Sequence, residues 1–281
     1  MLAWACIAPH GSEVIAELAR RSPERMAVTR AAMELLGERC RRAAPETIVV
    51  YTPHGFCVEG RLSITVSSAL VGVLSGDGGA RVTVAFRTDA ELAEALAEAA
   101  GRAGVPIALA AFTEKGLPSR VLELDWGATV PLWFLGARWV APPSVVVLCP
   151  DRSLPRRALV DAGRATVQAA RAVGRRIAVV CSADQGHGHA PDGPYGYTPA
   201  SAVFDAAYCR AVRGDDLRRL LHWRSDRVEA ALADSFWQTL MLHGALEGAG
   251  LRAELLSYEA PTYFGMACAS FEPIGSETDG A

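Results

Sequence analysis

Two short apolar runs that end in the same three residues constrain the fold of this chain most strongly. Leu2 to Ala8 and Thr47 to Thr52 have the length and the branched or small apolar side chains of buried strands, and each stops at Pro-His-Gly. A third run of this kind, Ile177 to Cys181, ends in the loop Ser-Ala-Asp-Gln-Gly-His-Gly-His. Ligands of open α/β sheets bind outside the carboxyl ends of the strands. We therefore expect His10 and His54 to share a site with this loop.

Helical patterns alternate with the predicted strands. Helices are predicted from Ser22 to about Arg42, Asp89 to Gly104, Pro155 to Val173, Ala200 to Ala211 and Asp226 to Glu247. Further strands are predicted at Ile107 to Ala111, Ser144 to Cys149 and Arg252 to Ser257, with a hairpin of Ser63 to Val66 and Arg81 to Phe86. This order predicts one α/β domain, residues 1–272, with a central mostly parallel or mixed sheet flanked by helices, and a polar tail at 273–281.

Composition excludes several classes of function. The net charge of −3 gives no electrostatic case for binding nucleic acid or an anionic membrane surface, and no apolar run approaches the length of a spanning helix. The seven cysteines are scattered and form no CxxC pair, which favours a reduced, cytoplasmic compartment. Lys115 is the one lysine, so Schiff-base and carbamate chemistry are disfavoured. We expect a soluble protein with a small-molecule substrate.

The residues at the strand ends predict a metal site. His10, His54 and Glu259, which follows the last predicted strand, together offer two imidazoles and one carboxylate. That set is typical of ferrous oxygenases, in which it leaves coordination positions open for substrate and dioxygen. His187 and His189, in the loop after Cys181, add a titratable group for proton transfer.

Each of these features also has a plainer interpretation. Loop histidines are common, and a glutamate beside a proline at a strand end is usually solvated. The tyrosines Tyr195, Tyr197 and Tyr263 are more often packing residues than substrate contacts. His222 and His243 lie in helical stretches and are interpreted as structural or surface residues.

The combined motifs resemble those of the catalytic chain of class III (LigB-type) extradiol ring-cleavage dioxygenases, over essentially the whole sequence. The resemblance is carried by Pro-His-Gly and Thr-Pro-His-Gly after the first two strands, by the Ser-Ala-Asp-Gln-Gly-His loop and by Tyr-Glu-Ala-Pro-Thr-Tyr-Phe-Gly-Met near the end. It implies Fe(II) held by His10, His54 and Glu259. It places the catalytic acid/base at His187, a role that His189 could share, and it implies a catechol or aminophenol substrate, O2 and a homo-oligomer.

One position departs from the family pattern. Many relatives have Asp-His-Gly in the middle of the chain, where this sequence has Asp125-Trp126-Gly127. The indole N–H is a donor only, so Trp126 cannot exchange a proton as a histidine would. The departure leaves the aromatic substrate open.

Two other functions remain as alternatives. Memo-like proteins share the fold and are regarded as interaction or redox proteins; Glu259 argues against this assignment, because Memo has a cysteine as its third ligand, whereas Trp126 argues mildly for it. A zinc hydrolase could use His187 and His189, since residues two apart share one face of an extended segment. Metal identity distinguishes these hypotheses.

Overall fold

In the computed structural model, which describes residues 1–111 and 121–273, the apolar runs of the sequence form strands and the periodic segments form helices. The strands are β1 (Leu2–Ala8), β2 (Thr47–Tyr51), β3 (Leu62–Thr65), β4 (Ala69–Ser75), β5 (Arg81–Arg87), β6 (Ile107–Ala110), β7 (Val121–Glu123), β8 (Ser144–Pro150), β9 (Ile177–Ser182), β10 (Leu251–Glu259) and β11 (Met266–Pro273). The α-helices are α1 (Ala27–Ala43), α2 (Ala90–Arg102), α3 (Trp126–Leu132), α4 (Arg156–Ala172), α5 (Pro199–Arg213), α6 (Ser225–Ala230) and α7 (Phe236–Leu246). Lys115 and residues 274–281 of the predicted tail lie outside the described residues.

Eight strands form one mixed sheet in the order β10-β11-β1-β9-β2-β8-β3-β6. The four strands β1, β9, β2 and β8 are parallel, and antiparallel pairing begins at β11 on one side and β3 on the other. Ala8 is level with Ser182, and Tyr51 is level with Cys181, so β1, β9 and β2 end side by side. The predicted α/β domain with a mixed central sheet is confirmed.

The two faces of the sheet bury separate cores. In β2, Ile48 and Val50 point into one core, whereas Val49 and Tyr51 point into the other. Helices α2, α4, α5 and α7 cover the second face, and α1, α3 and a three-stranded sheet, β5-β4-β7, cover the first. Both faces of the parallel strands are therefore buried, which explains their continuous apolar runs. In the described residues, no helix is long and apolar enough to cross a membrane.

The predicted hairpin of Ser63 to Val66 with Arg81 to Phe86 is wrong. Strand β3 lies in the main sheet between β8 and β6, and β5 pairs with β4 in the small sheet. The burial patterns give the reason. All four residues of β3 are buried, as in a central strand, whereas β5 alternates between buried and exposed residues. The glycine-rich turn Ser75-Gly76-Asp77-Gly78-Gly79 instead joins β4 to β5.

The C-terminal part differs from the prediction in two places. The single helix predicted from Asp226 to Glu247 is broken into α6 and α7, and Leu232 in the break has a left-handed φ of 53°. The last predicted strand continues to Glu259 and pairs with β11, a strand that the sequence patterns do not predict. The break and the β10–β11 pair both bear on the candidate site.

Candidate metal centre

Three donor atoms converge above the carboxyl end of the sheet: Nε2 of His10, Nε2 of His54 and Oδ2 of Asp234. All three lie within 4.8 Å of one another. The two imidazole nitrogens are 3.1 Å apart, and the carboxylate oxygen is 3.3 Å from His10 and 3.1 Å from His54. Donor atoms about 2.1 Å from a common ion are about 3.0 Å apart when the angle between them is 90°. The spacing of the three atoms therefore fits three ligands on one face of an octahedral coordination sphere.

The topology of the sheet brings these residues together. His10 follows β1 and His54 follows β2, and β9 lies between these two strands. Asp234 comes from the break between α6 and α7, where the residue is buried. The prediction that His10 and His54 meet at one edge of the sheet agrees with this geometry.

Ser182, the last residue of β9, fixes the orientation of the His10 ring. The Ser182 hydroxyl donates to the carbonyl oxygen of Gly127, and its oxygen lies 2.9 Å from Nδ1 of His10. Because the hydroxyl has only one hydrogen, Nδ1 must be the donor in the contact with His10. In the neutral ring that a metal ligand requires, Nε2 then carries the lone pair that faces the centre.

The centre holds buried negative charge. Burial alone would lower the pKa of His10, but the carboxylates of Asp184 and Asp234 outweigh burial and raise that pKa to about 9. Burial acts to raise the pKa of Asp234, yet the adjacent His10 and His54 hold it below its ordinary value. In the described residues, the ion-pair partners of both carboxylates are histidines. The two buried carboxylates therefore make the centre suited to holding a positive charge.

One buried oxygen has no partner. Oδ1 of Asp234 is inaccessible to solvent and makes no hydrogen bond within the described part of the chain. A buried carboxylate oxygen without a partner is costly unless it binds an ion or an ordered water. The donor set of two imidazoles and one carboxylate, together with this oxygen, suits a divalent ion such as Fe(II).

Trp126 packs against His54 at one side of the site. Its ring stacks on that imidazole with centroids 4.2 Å apart and planes 27° apart, and half of Trp126 is exposed to the cavity. Asp125 begins α3 by accepting from the N–H of Ala128, and it also accepts from the hydroxyl of Thr52, two residues before His54. The Asp-Trp-Gly segment therefore holds the loop of a metal-site histidine in place.

Gly127 is required at its position by close contacts. A Cβ atom there would lie 2.5 Å from Oγ1 of Thr52 and 2.7 Å from Oδ1 of Asp125. Both distances are too short for any side chain. A glycine is therefore needed for α3 to approach the end of β2 this closely.

His187 lines the cavity beside the three donor atoms. Its Nδ1 lies 2.9 Å from the carbonyl oxygen of Gln185, which can only accept, so Nδ1 carries the proton. Its ring stacks on Phe264, with centroids 5.6 Å apart, and meets Tyr195 edge to face at 5.9 Å. Nε2 of His187 is thereby left as a proton acceptor on a firmly packed ring.

His189 has a different environment, in spite of being only two residues away. Its Nε2 lies 2.8 Å from Oδ2 of Asp205, which is fully buried and also accepts from Tyr258 and from the N–H of Gly186. His189 is not among the residues that line the cavity. The structure therefore gives His189 a role in fixing the loop and does not bring it to the three donor atoms.

Glu259 requires a correction, because the structure does not bring its carboxylate into the group of three donor atoms. Oε1 of Glu259 accepts from the backbone N–H of Thr29, at 2.8 Å, and from the Thr29 hydroxyl. Thr29 lies in the first turn of α1, whose N-cap residue Met26 makes no side-chain capping bond. Glu259 therefore caps α1 from a distant strand and stabilises the positive end of the helix.

Sequence reasoning misses Asp234, Asp184 and Ser182. An Asp-Ser pair at 234–235 is a typical helix start, and it lies inside the segment that the apolar pattern predicts as one continuous helix. That pair is the feature of the sequence that could have indicated a break in the helix at Asp234. Ser182 and Asp184 lie within the loop that follows the third apolar run, but no spacing rule distinguishes them from its other polar residues.

His10 and His54 line a cavity of about 430 Å³. Aromatic side chains form much of its wall, namely Trp126, Tyr195, Tyr263 and Phe264. Tyr197, the third tyrosine of the sequence cluster, is not among the lining residues. A volume of this order accommodates a small planar molecule next to the three donor atoms.

Comparisons with known proteins agree with this architecture. The family model described as "Catalytic LigB subunit of aromatic ring-opening dioxygenase" matches residues 5–269. Protein CA_C1420 from Clostridium acetobutylicum is 24% identical over 270 residues, which cover 96% of this chain and 57% of that protein. The chain thus spans little more than half the length of this relative.

A solved structure has the same fold. The crystal structure of the uncharacterized protein JW3007 from Escherichia coli K12 matches with a TM-score of 0.59 and 17% sequence identity. The match covers 95% of this chain and 99% of that one. At this identity the likeness extends to the fold alone.

Proposed function

This chain belongs to the family of catalytic LigB subunits of aromatic ring-opening dioxygenases, and we propose that it is an Fe(II)-dependent extradiol dioxygenase. The proposed substrate is a small catechol or aminophenol, which is cleaved with O2 next to its hydroxyl group. The observation that carries this proposal is the convergence of His10, His54 and Asp234 on one point, where the two histidines line a cavity with several aromatic side chains.

The proposed iron ligands are two imidazole nitrogens and one carboxylate oxygen. When bound, ferrous iron would supply the site for a chelating substrate and the electron that activates dioxygen. Ser182 keeps the His10 ring in the tautomer that offers Nε2, and Trp126 supports the face of His54. These contacts hold the donor atoms in place before the substrate enters.

His187 is the proposed acid/base. Its Nδ1 proton is held by Gln185, so Nε2 can take a proton from a substrate hydroxyl and return it to the product. The packing of the ring against Phe264 limits rotation of the imidazole. The other aromatic side chains of the cavity offer ring faces on which a planar substrate can stack.

The test is anaerobic reconstitution with Fe(II), followed by oxygen uptake with a panel of catechols, protocatechuates and 2-aminophenols. We expect oxygen consumption with formation of a coloured ring-fission product, and loss of both in His10→Ala and Asp234→Ala. His222→Ala changes a histidine that lies away from the cavity and is the matched control.

Other outcomes would support the alternative functions. Iron binding without turnover on any of these compounds would favour a Memo-like interaction or redox protein. Hydrolytic activity with zinc would favour the hydrolase. That last function is disfavoured because Nε2 of His189 is held by Asp205 and only His187 of the pair lines the cavity.

A further inference from the structure

We infer that a second carboxylate, that of Asp184, belongs to the metal centre and strengthens the binding of a divalent cation from outside the group of three donor atoms. The inference rests on the metal site of the proposed function. It concerns the charge of the centre and the class of ion that it holds, and it does not depend on whether the substrate is a catechol.

Asp184 is anchored so that its carboxylate faces the centre. Its Oδ1 accepts from the backbone N–H of His10 at 2.9 Å. Its Oδ2 then lies 3.3 Å from Nε2 of His10, the same distance that separates this nitrogen from Oδ2 of Asp234. Asp184 is 3% exposed and lines the cavity.

The position of Asp184 differs from that of the three grouped donors. Its oxygens are not within 4.8 Å of all three of the other donor atoms, so they do not complete the same face. The carboxylate instead borders the open, cavity side of the centre. From there it can attract the ion and accept a hydrogen bond from a water or substrate hydroxyl held beside it.

The balance of charge supports this role. Asp184 and Asp234 are both buried, and in the described part of the chain their ion-pair partners are histidines only. Arg25 also lines the cavity, but its guanidinium pairs with Glu13 at 3.2 Å. A dication beside them favours the ionised form of both carboxylates, and its two charges balance theirs. The centre is therefore matched to a divalent ion that accepts oxygen ligands, such as Fe(II) or Mn(II).

The experiment measures the affinity of the full chain, freed of metal, for Mn(II), a probe that is stable in air. Free Mn(II) is followed by its electron paramagnetic resonance signal during titration. We expect Asp184→Asn to weaken binding about 10- to 100-fold, the usual effect of losing a partner next to a metal ligand. Asparagine keeps an oxygen that can accept from the His10 N–H, so the loop is retained.

The matched control is Asp192→Asn, which removes one negative charge from an exposed position of the same loop. It should leave the Mn(II) affinity within about twofold of the unaltered protein, since exposed charges are well screened. If Asp184→Asn does not fold, Asp184→Ser removes the charge with a smaller side chain, and the same weakening is expected from it.

The inference is overturned if a folded Asp184 variant binds Mn(II) as tightly as the unaltered protein does. Weakened binding in a protein that opens no aromatic ring would sustain the inference and reject the proposed reaction. Ring opening by the unaltered protein, together with an unchanged Mn(II) affinity in Asp184→Asn, would sustain the proposed reaction and reject the inference. Failure of the unaltered protein to bind Mn(II) or Fe(II) would reject both.

Discussion

Asp234 and Glu259 are two carboxylates near the carboxyl end of the parallel strands of one sheet, and they have different roles. Strand β10 runs in the same direction as β1, because both are antiparallel to β11, so Glu259 reaches the edge where His10 lies. Its carboxylate nevertheless caps α1, while Asp234, from a break between two helices, faces the histidines.

The difference lies in lateral position. The donor atoms gather above β1, β9 and β2, at the middle of the sheet, whereas β10 is the outermost strand. A carboxylate at the correct end of the outermost strand is separated from His10 by the width of β11. Which residues share a site depends on the order of their strands across the sheet. It is not enough that the residues lie at the carboxyl ends of strands.

Of the changes that distinguish Asp234 from Glu259, the largest expected effect is on metal affinity. Asp234→Ala should weaken Fe(II) or Mn(II) binding by more than about 100-fold and abolish turnover, because the change removes a donor atom and not merely a neighbour of one. Glu259→Ala should bind the ion as the unaltered protein does. Titration of the apoprotein measures both, and the reverse ranking would restore Glu259 as the ligand.

His187 and His189, only two residues apart, also differ in their expected roles. His187→Gln should lower turnover by about 10²- to 10⁴-fold while the iron content is retained, because it removes the proton acceptor that faces the cavity. His189→Gln should leave a larger share of turnover. Its main effect should be a loss of about 1–3 kcal/mol of stability, since the buried Asp205 loses a partner. Equal loss of turnover in both variants would contradict the separate roles.

Ser182 gives a smaller effect at the same centre. Ser182→Ala removes the acceptor for Nδ1 of His10, so the ring loses its fixed tautomer and orientation. We expect metal affinity to fall about tenfold, at the lower end of the range for such partners. Calorimetric titration would detect the change, and thermal unfolding of the apoprotein would show whether the fold is intact. An unchanged affinity would mean that His10 is held by its other contacts.

The smallest effect is on stability alone. Glu259→Gln keeps the shape of the side chain but removes the charge at the start of α1, so unfolding should become easier by about 1 kcal/mol. Denaturant unfolding at matched metal content gives this difference. A change in metal affinity instead of stability would contradict the capping role.

The part of the site that depends on local pattern is predictable from the sequence. The continuous apolar runs predict β1, β2 and β9, and the Pro-His-Gly endings place His10 and His54 at the carboxyl ends of the first two. The helix predicted to begin at Asp89 is present as well, and Asp89 accepts from the N–H of Leu92 at the start of α2. Such features depend on neighbours in the chain, so the sequence alone carries them.

The third donor cannot be predicted in this way. The apolar residues Val228, Phe236 and Leu240 continue one helical period across the break, although Leu232 between them adopts a left-handed conformation and is partly exposed. At the break, the carbonyl oxygen of Ala231 accepts from the N–H of His187 and from the Ser201 hydroxyl, which are both distant in sequence. The expectation for Glu259 meets a related difficulty, since its partner Thr29 is distant in sequence and only the fold brings the two together.

The insertion of β9 between β1 and β2 also governs when the centre can exist. The first two strands of the chain carry both histidines, yet these meet only around a strand that begins at Ile177, and Asp234 follows later still. A nascent chain therefore carries both imidazoles long before it has a place for an ion. Such non-local pairings are slow to form, because loop-closure entropy must be overcome first. If the chain binds the proposed ion, we expect loading to follow assembly of nearly the whole chain, because the donor residues come together only in the assembled sheet.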